Sequence, residues 1–71
     1  MTTKYIKTSK STDSLGTRYD VDVFTDNGVS SSHNAKGTFA NEYDAREVAF
    51  SLYTNLVDSY GMDNVYVSRD Y

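Results

Sequence analysis

The sequence predicts a small α+β domain in which one helix packs on one face of an antiparallel sheet. Two observations carry this prediction. Residues 41–61 repeat apolar side chains at helical spacing, and residues 18–25 alternate strictly between polar and apolar side chains. A chain of 71 residues suffices for one such domain and leaves no room for a second core. We therefore expect residues 1–71 to form one domain of order β-β-β-α-β.

The first two strands are predicted on either side of a polar loop. Residues 4–9 form the first strand, with an imperfect alternation that leaves the facing of Tyr5 and Ile6 open. Residues 10–16 have the composition of a loop. The alternation at residues 18–25 predicts a second strand with one solvent-exposed face and one face under the helix. The side chains expected under the helix are those of Tyr19, Val21 and Val23.

The third strand is predicted to return antiparallel after a tight turn. Asp26-Asn27-Gly28 supplies residues that tolerate the positive φ of a hairpin turn. Residues 29–33 then run back along the second strand. Residues 34–37 form a bulge or a loop before Thr38 and Phe39 resume the strand direction.

The helix and the last strand complete the predicted order. Asn41 suits the helix N-cap, and Gly61 is a typical left-handed terminator. Residues 64–69 are predicted as a final strand with Val65 and Val67 facing inward, followed by a free tail of residues 70–71. The apolar stripe expected to face the sheet consists of Ala45, Val48, Ala49, Leu52 and Leu56.

A second apolar line lies beside that stripe. Tyr43, Phe50 and Val57 repeat every seven residues, which widens the apolar arc to roughly 220°, whereas docking on one sheet needs about 100° or slightly more. Two interpretations remain open. Either another part of the same chain covers this flank, or the flank contacts a partner or a second copy of the chain.

Composition bounds the function classes. The net charge is −3, and from Gly37 onward six anions face two cations, which disfavours nonspecific binding to a nucleic-acid backbone. The absence of cysteine and the single histidine argue against a disulfide framework and a Cys/His zinc site. We expect no membrane span, no cofactor and a cytoplasmic location.

Candidate chemistry is sparse. Asp20, Asp22 and Asp26 are better explained as solvent-facing carboxylates than as metal ligands, since no closing glutamate or loop spacing accompanies them. A Ser-His-Asp set can be drawn from His33 and the serines at 30–32, but no nucleophile elbow or oxyanion loop supports it. We therefore expect that the protein is not an enzyme.

Seven tyrosines are the compositional exception, and several must stay partly exposed. Tyrosine is enriched at binding surfaces, so we predict a protein-contact surface on the helix. Its residues are Tyr43, Phe50, Tyr53, Val57 and Tyr60, with the acidic Glu47 and Asp58 beside them. The alternative is a sheet face that binds single-stranded nucleic acid, for which the candidates are Tyr5, Lys7, Tyr66 and Arg69.

The order of elements is similar to that of many small bacterial and phage accessory proteins. The segments that carry this resemblance are Tyr19–Thr25, Asp26–Gly28, Thr38–Asn41 and Asn64–Ser68. The resemblance is architectural and assigns no functional residue.

Small size, acidity and plain chemistry favour a non-enzymatic protein-interaction module. We expect a phage-type inhibitor or adaptor acting in the host cytoplasm, of the anti-defence or anti-CRISPR kind. It would block a basic groove on a nucleic-acid-binding host protein, or pair as a homodimer. The alternatives are a single-stranded nucleic-acid-binding protein and a structural subunit of an assembly.

Overall fold

The four strands form one sheet in the order β3-β2-β1-β4, with a single helix across one face. The computed structural model describes residues 2–70, so Tyr71, predicted in a free tail, lies outside the described residues. The strands are β1 (Thr3–Asp13), β2 (Gly16–Asp26), β3 (Ser31–Phe39) and β4 (Val65–Arg69). Helix α1 spans Glu42–Tyr60, and a 3₁₀ turn at Met62–Asn64 leads into β4. The predicted β-β-β-α-β order is confirmed.

The pairing of strands places β4 at an edge. β1 pairs antiparallel with β2, and β2 pairs antiparallel with β3. β4 instead runs parallel to β1, because the chain crosses the sheet through α1 before it returns. The two outer strands of the sheet are therefore β3 and β4.

The β1–β2 hairpin is longer than predicted. Residues 10–13, predicted as loop, continue β1, so that only Ser14 and Leu15 connect the strands. Asp13 holds this end together: its Oδ1 accepts from the Leu15 N–H at 2.9 Å, and its Oδ2 accepts from Arg18 Nη1 at 2.7 Å. Pairing with β2 outweighs the loop-like composition of residues 10–13.

The β2–β3 connection is longer than the predicted tight turn, because Val29 and Ser30, predicted in the third strand, belong to it. It spans residues 27–30, with Gly28 at φ 92° and Asn27 Oδ1 accepting from the Val29 and Ser30 N–H groups at 3.0 Å. In β3, His33 pairs with Phe24 and Ala35 pairs with Val23, so Asn34 is the extra residue of a bulge. The bulge is confirmed, and the alternative of a loop is wrong.

Both predicted ends of the helix are confirmed. Asn41 Oδ1 accepts from the Asp44 N–H at 2.8 Å. Gly61 has φ 88°, and its N–H donates to the Val57 carbonyl at 2.8 Å. These contacts satisfy backbone groups that the helix leaves unpaired at its termini.

The core lies between α1 and the middle of the sheet. Ile6 and Ala45 are fully buried, and Val21, Ala49 and Val65 complete the cluster. Alanine at two positions four residues apart allows the helix to approach the sheet closely. Leu52 and Leu56 pack against this cluster while half-buried, as the predicted stripe requires. The facing of β1 is also settled, since Ile6 is buried and Tyr5 lies on the opposite face of the sheet.

The last strand departs from prediction at its outer end. Val65 is 5% exposed, but Val67 is 51% exposed because it lies at the edge of the sheet beyond the cover of the helix. Only Val65 therefore faces the core as predicted. Asp70 is not a free tail: its N–H donates to the Thr8 carbonyl at 2.8 Å, and its carboxylate lies 3.5 Å from Lys7 Nζ.

Candidate protein-contact groove

An open groove of about 930 Å³ separates one flank of α1 from β4; we call it the α1–β4 groove. The helix wall carries Tyr43, Phe50 and Tyr53, and the strand wall carries Val65 and Val67. Its remaining lining residues are Thr8, Arg46, Glu47, Ala49, Tyr66 and Arg69. The groove combines an apolar floor with a few charged groups at its rim, which is the usual character of a binding site.

The predicted second apolar line is largely uncovered by the described chain. Tyr43 is 74% exposed and Phe50 is 71% exposed. Seven residues apart, they lie about two turns or roughly 10 Å from each other along the helix. Val57 differs, since it is half-buried and packs against the core with Tyr53. The line therefore divides into an exposed part at Tyr43 and Phe50 and a part that the same chain uses for packing.

The other residues predicted for partner binding are distributed over the helix. Glu47 is exposed and joins the groove rim. Asp58 is exposed and is not among the residues that line the groove. Tyr60 is 39% exposed near the helix end, where Lys4 Nζ lies 5.1 Å from its ring centroid. The structure thus brings together Tyr43, Glu47, Phe50 and Tyr53, and leaves Val57, Asp58 and Tyr60 outside the groove.

The strand wall was missed as a protein-contact surface. Val67 was predicted to be inward, and Tyr66 and Arg69 were assigned only to the nucleic-acid alternative. Val67 and Arg69 lie on the helix side of β4, and Tyr66 borders the groove from the other sheet face, where its ring stacks on Tyr5. Arg46, on the helix wall, was also missed; its Nη1 lies 3.7 Å from Glu42 Oε1. No local sequence signal distinguishes an edge strand from an inner one when both are short and valine-rich.

The backbone of β4 is directed alternately toward β1 and toward the free edge. The Asp70 N–H donates to the Thr8 carbonyl, and the Ser68 carbonyl accepts from the Thr8 hydroxyl at 3.2 Å. Because a parallel ladder uses the backbone groups of every second residue, Val65 and Val67 direct theirs away from β1. Among residues 2–70 no strand pairs with that side of β4. The groove is thus bordered by an apolar helix flank and by the outer strand β4.

The face of the sheet that α1 does not cover carries a row of aromatic rings. Tyr5 and Tyr66 stack with ring centroids 5.6 Å apart, and Phe24 and His33 lie 4.9 Å apart. Tyr5 and Phe24 are paired across β1 and β2, so the four rings form one line across all four strands. The nucleic-acid candidates Tyr5, Tyr66 and Lys7 share this face, whereas Arg69 lies in the groove on the other side.

The candidate catalytic and metal-ligating residues have other partners. His33 Nε2 is 2.9 Å from Asp22 Oδ1, and Asp20 Oδ1 accepts from the Thr38 hydroxyl at 2.8 Å. Asp26 Oδ1 accepts from the Gly28 N–H at 2.8 Å. Within the described part of the chain, no three His, Cys, Asp or Glu side chains are grouped as a metal would require. Asp20 is 7% exposed, so its prediction as a solvent-facing carboxylate is wrong, and Asp22 and Asp26 are half-buried. All three carboxylates act locally, in the sheet and its turn.

Comparisons with protein families, curated proteins and solved structures found no match for this chain. No helix in residues 2–70 is long and apolar enough to cross a membrane.

Proposed function

We propose that this chain is a non-enzymatic protein-interaction module whose contact surface is the α1–β4 groove. One observation carries the proposal: two aromatic side chains, Tyr43 and Phe50, are more than two-thirds exposed on one wall of an open apolar groove. Exposing large aromatic rings in water is unfavourable, and aromatic anchors placed in a groove are typical of protein interfaces.

Charge favours a partner with a basic surface. Asp44 and Asp58 are exposed on α1, and its first turn also carries Glu42. The last turn of the helix contains no basic residue. An acidic helix face steers association toward cationic surfaces and repels polyanions. We therefore propose an inhibitor or adaptor that covers a basic groove of a nucleic-acid-binding protein, as a phage-encoded protein would do to host machinery.

Affinity capture with matched baits tests this function. The baits are the wild-type chain, Phe50→Asp and the control Ser51→Asp, which adds the same charge at the next exposed position of the helix. The expected result is a host protein retained by wild type and by Ser51→Asp but lost from Phe50→Asp. A host protein retained equally by all three baits contradicts the groove as the contact surface. If nothing is retained, the inhibitor role is rejected.

A second candidate function is favoured by the aromatic row on the opposite sheet face. Stacked tyrosines and a neighbouring phenylalanine resemble the platforms on which single-stranded bases stack. The charges are less favourable, because Lys7 lies close to Asp70 and is paired across the strands with Asp22. Single-stranded nucleic-acid binding is therefore less well supported than the protein-interaction function.

Titration with a labelled single-stranded oligonucleotide tests the second function. Binding that weakens steeply with salt and that falls by about tenfold or more in Tyr66→Ala would support it, since stacking contributes about 1–3 kcal/mol per base. Tyr43→Ala is the matched control, because that tyrosine lies on the helix side. Absence of binding at low salt would remove this candidate.

A further inference from the structure

The two outer strands of the sheet differ in how their edges are protected. β3 carries the bulge at Asn34, and Lys36 follows two residues later. A bulge and a lysine are common means by which proteins prevent an edge strand from pairing with another chain. β4 pairs with β1 in regular register and begins with Val65-Tyr66-Val67, which contains neither a bulge nor a charge. The edge at β4 is therefore the better suited of the two to accept another strand.

We propose that an extended segment of a basic partner protein pairs with the outer edge of β4 and places alternate apolar side chains in the α1–β4 groove. This inference rests on the proposed function, because it states which element of the partner occupies the same groove. The backbone groups of Val65 and Val67 are directed away from β1, and no strand within residues 2–70 pairs with that side of β4. An added strand would form hydrogen bonds with these groups, which is a common way for sheets to bind peptides.

The helix side of β4 determines which side chains the segment carries at every second position. Val65 and Val67 lie on that side, and the exposed ring of Phe50 lines the opposite wall of the groove. Successive side chains of an added strand alternate between the two faces of the sheet, so every second one would enter the space between Val67 and Phe50. Apolar side chains there would remove the exposed apolar surface of both walls from water. The segment is therefore expected to be apolar at alternate positions.

Charge favours basic residues at the remaining positions. Glu47 is exposed on the helix wall and belongs to none of the ion pairs within residues 2–70. The cations of the groove are already engaged: Arg46 Nη1 lies 3.7 Å from Glu42 Oε1, and Arg69 also has a partner. Side chains of the added strand that point away from the groove would lie beside the Tyr66 ring, which is 54% exposed and attracts cations. A second copy of the chain, with its net charge of −3, is repelled at long range, so a basic partner is favoured.

Calorimetric titration of the full chain with three synthetic peptides tests the inference. The probe has blocked ends and alternates four lysines with three valines. Its first control is methylated on every amide nitrogen, which keeps the side chains and the charge but removes the N–H donors of a strand. Its second control has glutamate in place of each lysine. We expect the lysine–valine peptide to bind with a dissociation constant below about 1 mM, and each control to bind about tenfold more weakly or worse.

Two chain variants and an NMR titration locate the bound peptide. Phe50→Asp should weaken binding of the lysine–valine peptide about tenfold or more, because it removes the apolar helix wall. Ser51→Asp adds the same charge at the next exposed position and should bind as wild type does. In wild type, the amide signals of Val65 and Val67 should shift on binding, whereas that of Ala35, in the other outer strand, should not. Circular dichroism checks the fold of both variants, and the comparison of peptides on wild type requires neither variant.

The inference is overturned if the lysine–valine peptide does not bind at millimolar concentration, if it shifts the signals of β3 instead of β4, or if either control peptide binds as tightly. It is also overturned if sedimentation equilibrium without peptide gives twice the mass of 8.0 kDa, since a second copy would then be the occupant.

Failure of this inference is distinguishable from failure of the proposed function. A chain that does not bind the peptide but still retains a host protein through Phe50 would reject strand addition and keep the proposed function. A chain that binds the peptide at β4 but retains no host protein would support strand addition while rejecting the inhibitor role.

Discussion

Phe50 of the helix and Val67 of the edge strand line one groove, and each is more than half exposed: 71% for Phe50 and 51% for Val67. Two apolar side chains on opposite walls of an open groove indicate that the described chain does not complete its own packing there.

Phe50→Asp should abolish groove-dependent association while leaving the fold intact. Its side chain is already in contact with water, so the free energy of unfolding should fall by less than about 1 kcal/mol in urea denaturation. Ala49→Asp is the contrasting variant, because Ala49 is 8% exposed and packs in the core. An unpaired carboxylate there should unfold the domain. An equal decrease in the free energy of unfolding in the two variants would place Phe50 in the core.

Ile6→Ala should be among the most damaging truncations. Ile6 is 0% exposed at the centre of the cluster that joins β1 to α1. The expected loss is about 2–5 kcal/mol, which is large for a domain of this size. Ile6→Val, which removes one methylene group, should cost about 0.5–1.5 kcal/mol. Thermal melting followed by circular dichroism would measure both, and similar melting temperatures for Ile6→Ala and wild type would contradict the assigned core.

Asn41→Ala should destabilise the helix start by about 0.5–2 kcal/mol, because the Asp44 N–H then loses its acceptor. Asn41→Ser should recover most of that loss, since a serine hydroxyl also caps this position well. Chemical denaturation of the three proteins gives the comparison. A serine variant no better than the alanine variant would show that the cap contributes little.

Asp13 should titrate below its ordinary value. The hydrogen bond from Arg18 and then that from the Leu15 N–H lower the pKa of the Asp13 carboxyl from 3.8. A lowered pKa in the folded state stabilises the hairpin above the unfolded value, and this contribution disappears as the pH falls through the folded value. NMR titration of the Asp13 carboxyl carbon should give a midpoint under 3.8, and Arg18→Gln should move it upward. An unchanged midpoint in that variant would remove Arg18 as the main cause.

The fold followed from the sequence where one local signal acted alone. Alternation fixed the faces of β2, and Asn41 and Gly61 marked the helix, because caps and periodicity depend on neighbouring residues only. Prediction failed where a partner distant in the sequence determined the structure of a segment. Residues 10–13 read as loop but pair along β2, and Asp70 read as tail but bonds to Thr8.

The candidate site was half predictable for the same reason. Seven-residue spacing identified Tyr43 and Phe50 on one flank of the helix. Val67 was not predictable as a wall of the groove, because its exposure depends on β4 lying at the edge of the sheet, which no residue of β4 encodes locally. Val57 has the same spacing as Phe50 but packs against the core, since spacing alone does not show where the sheet ends.

Affinity capture with wild type beside Phe50→Asp tests the central claim most directly, namely that the α1–β4 groove is the contact surface. Phe50 is 71% exposed on the helix wall of that groove. We predict that a host protein retained by wild type is lost from Phe50→Asp and kept by Ser51→Asp, whose substitution adds the same charge at the next exposed position. Equal retention by all three proteins would contradict the account.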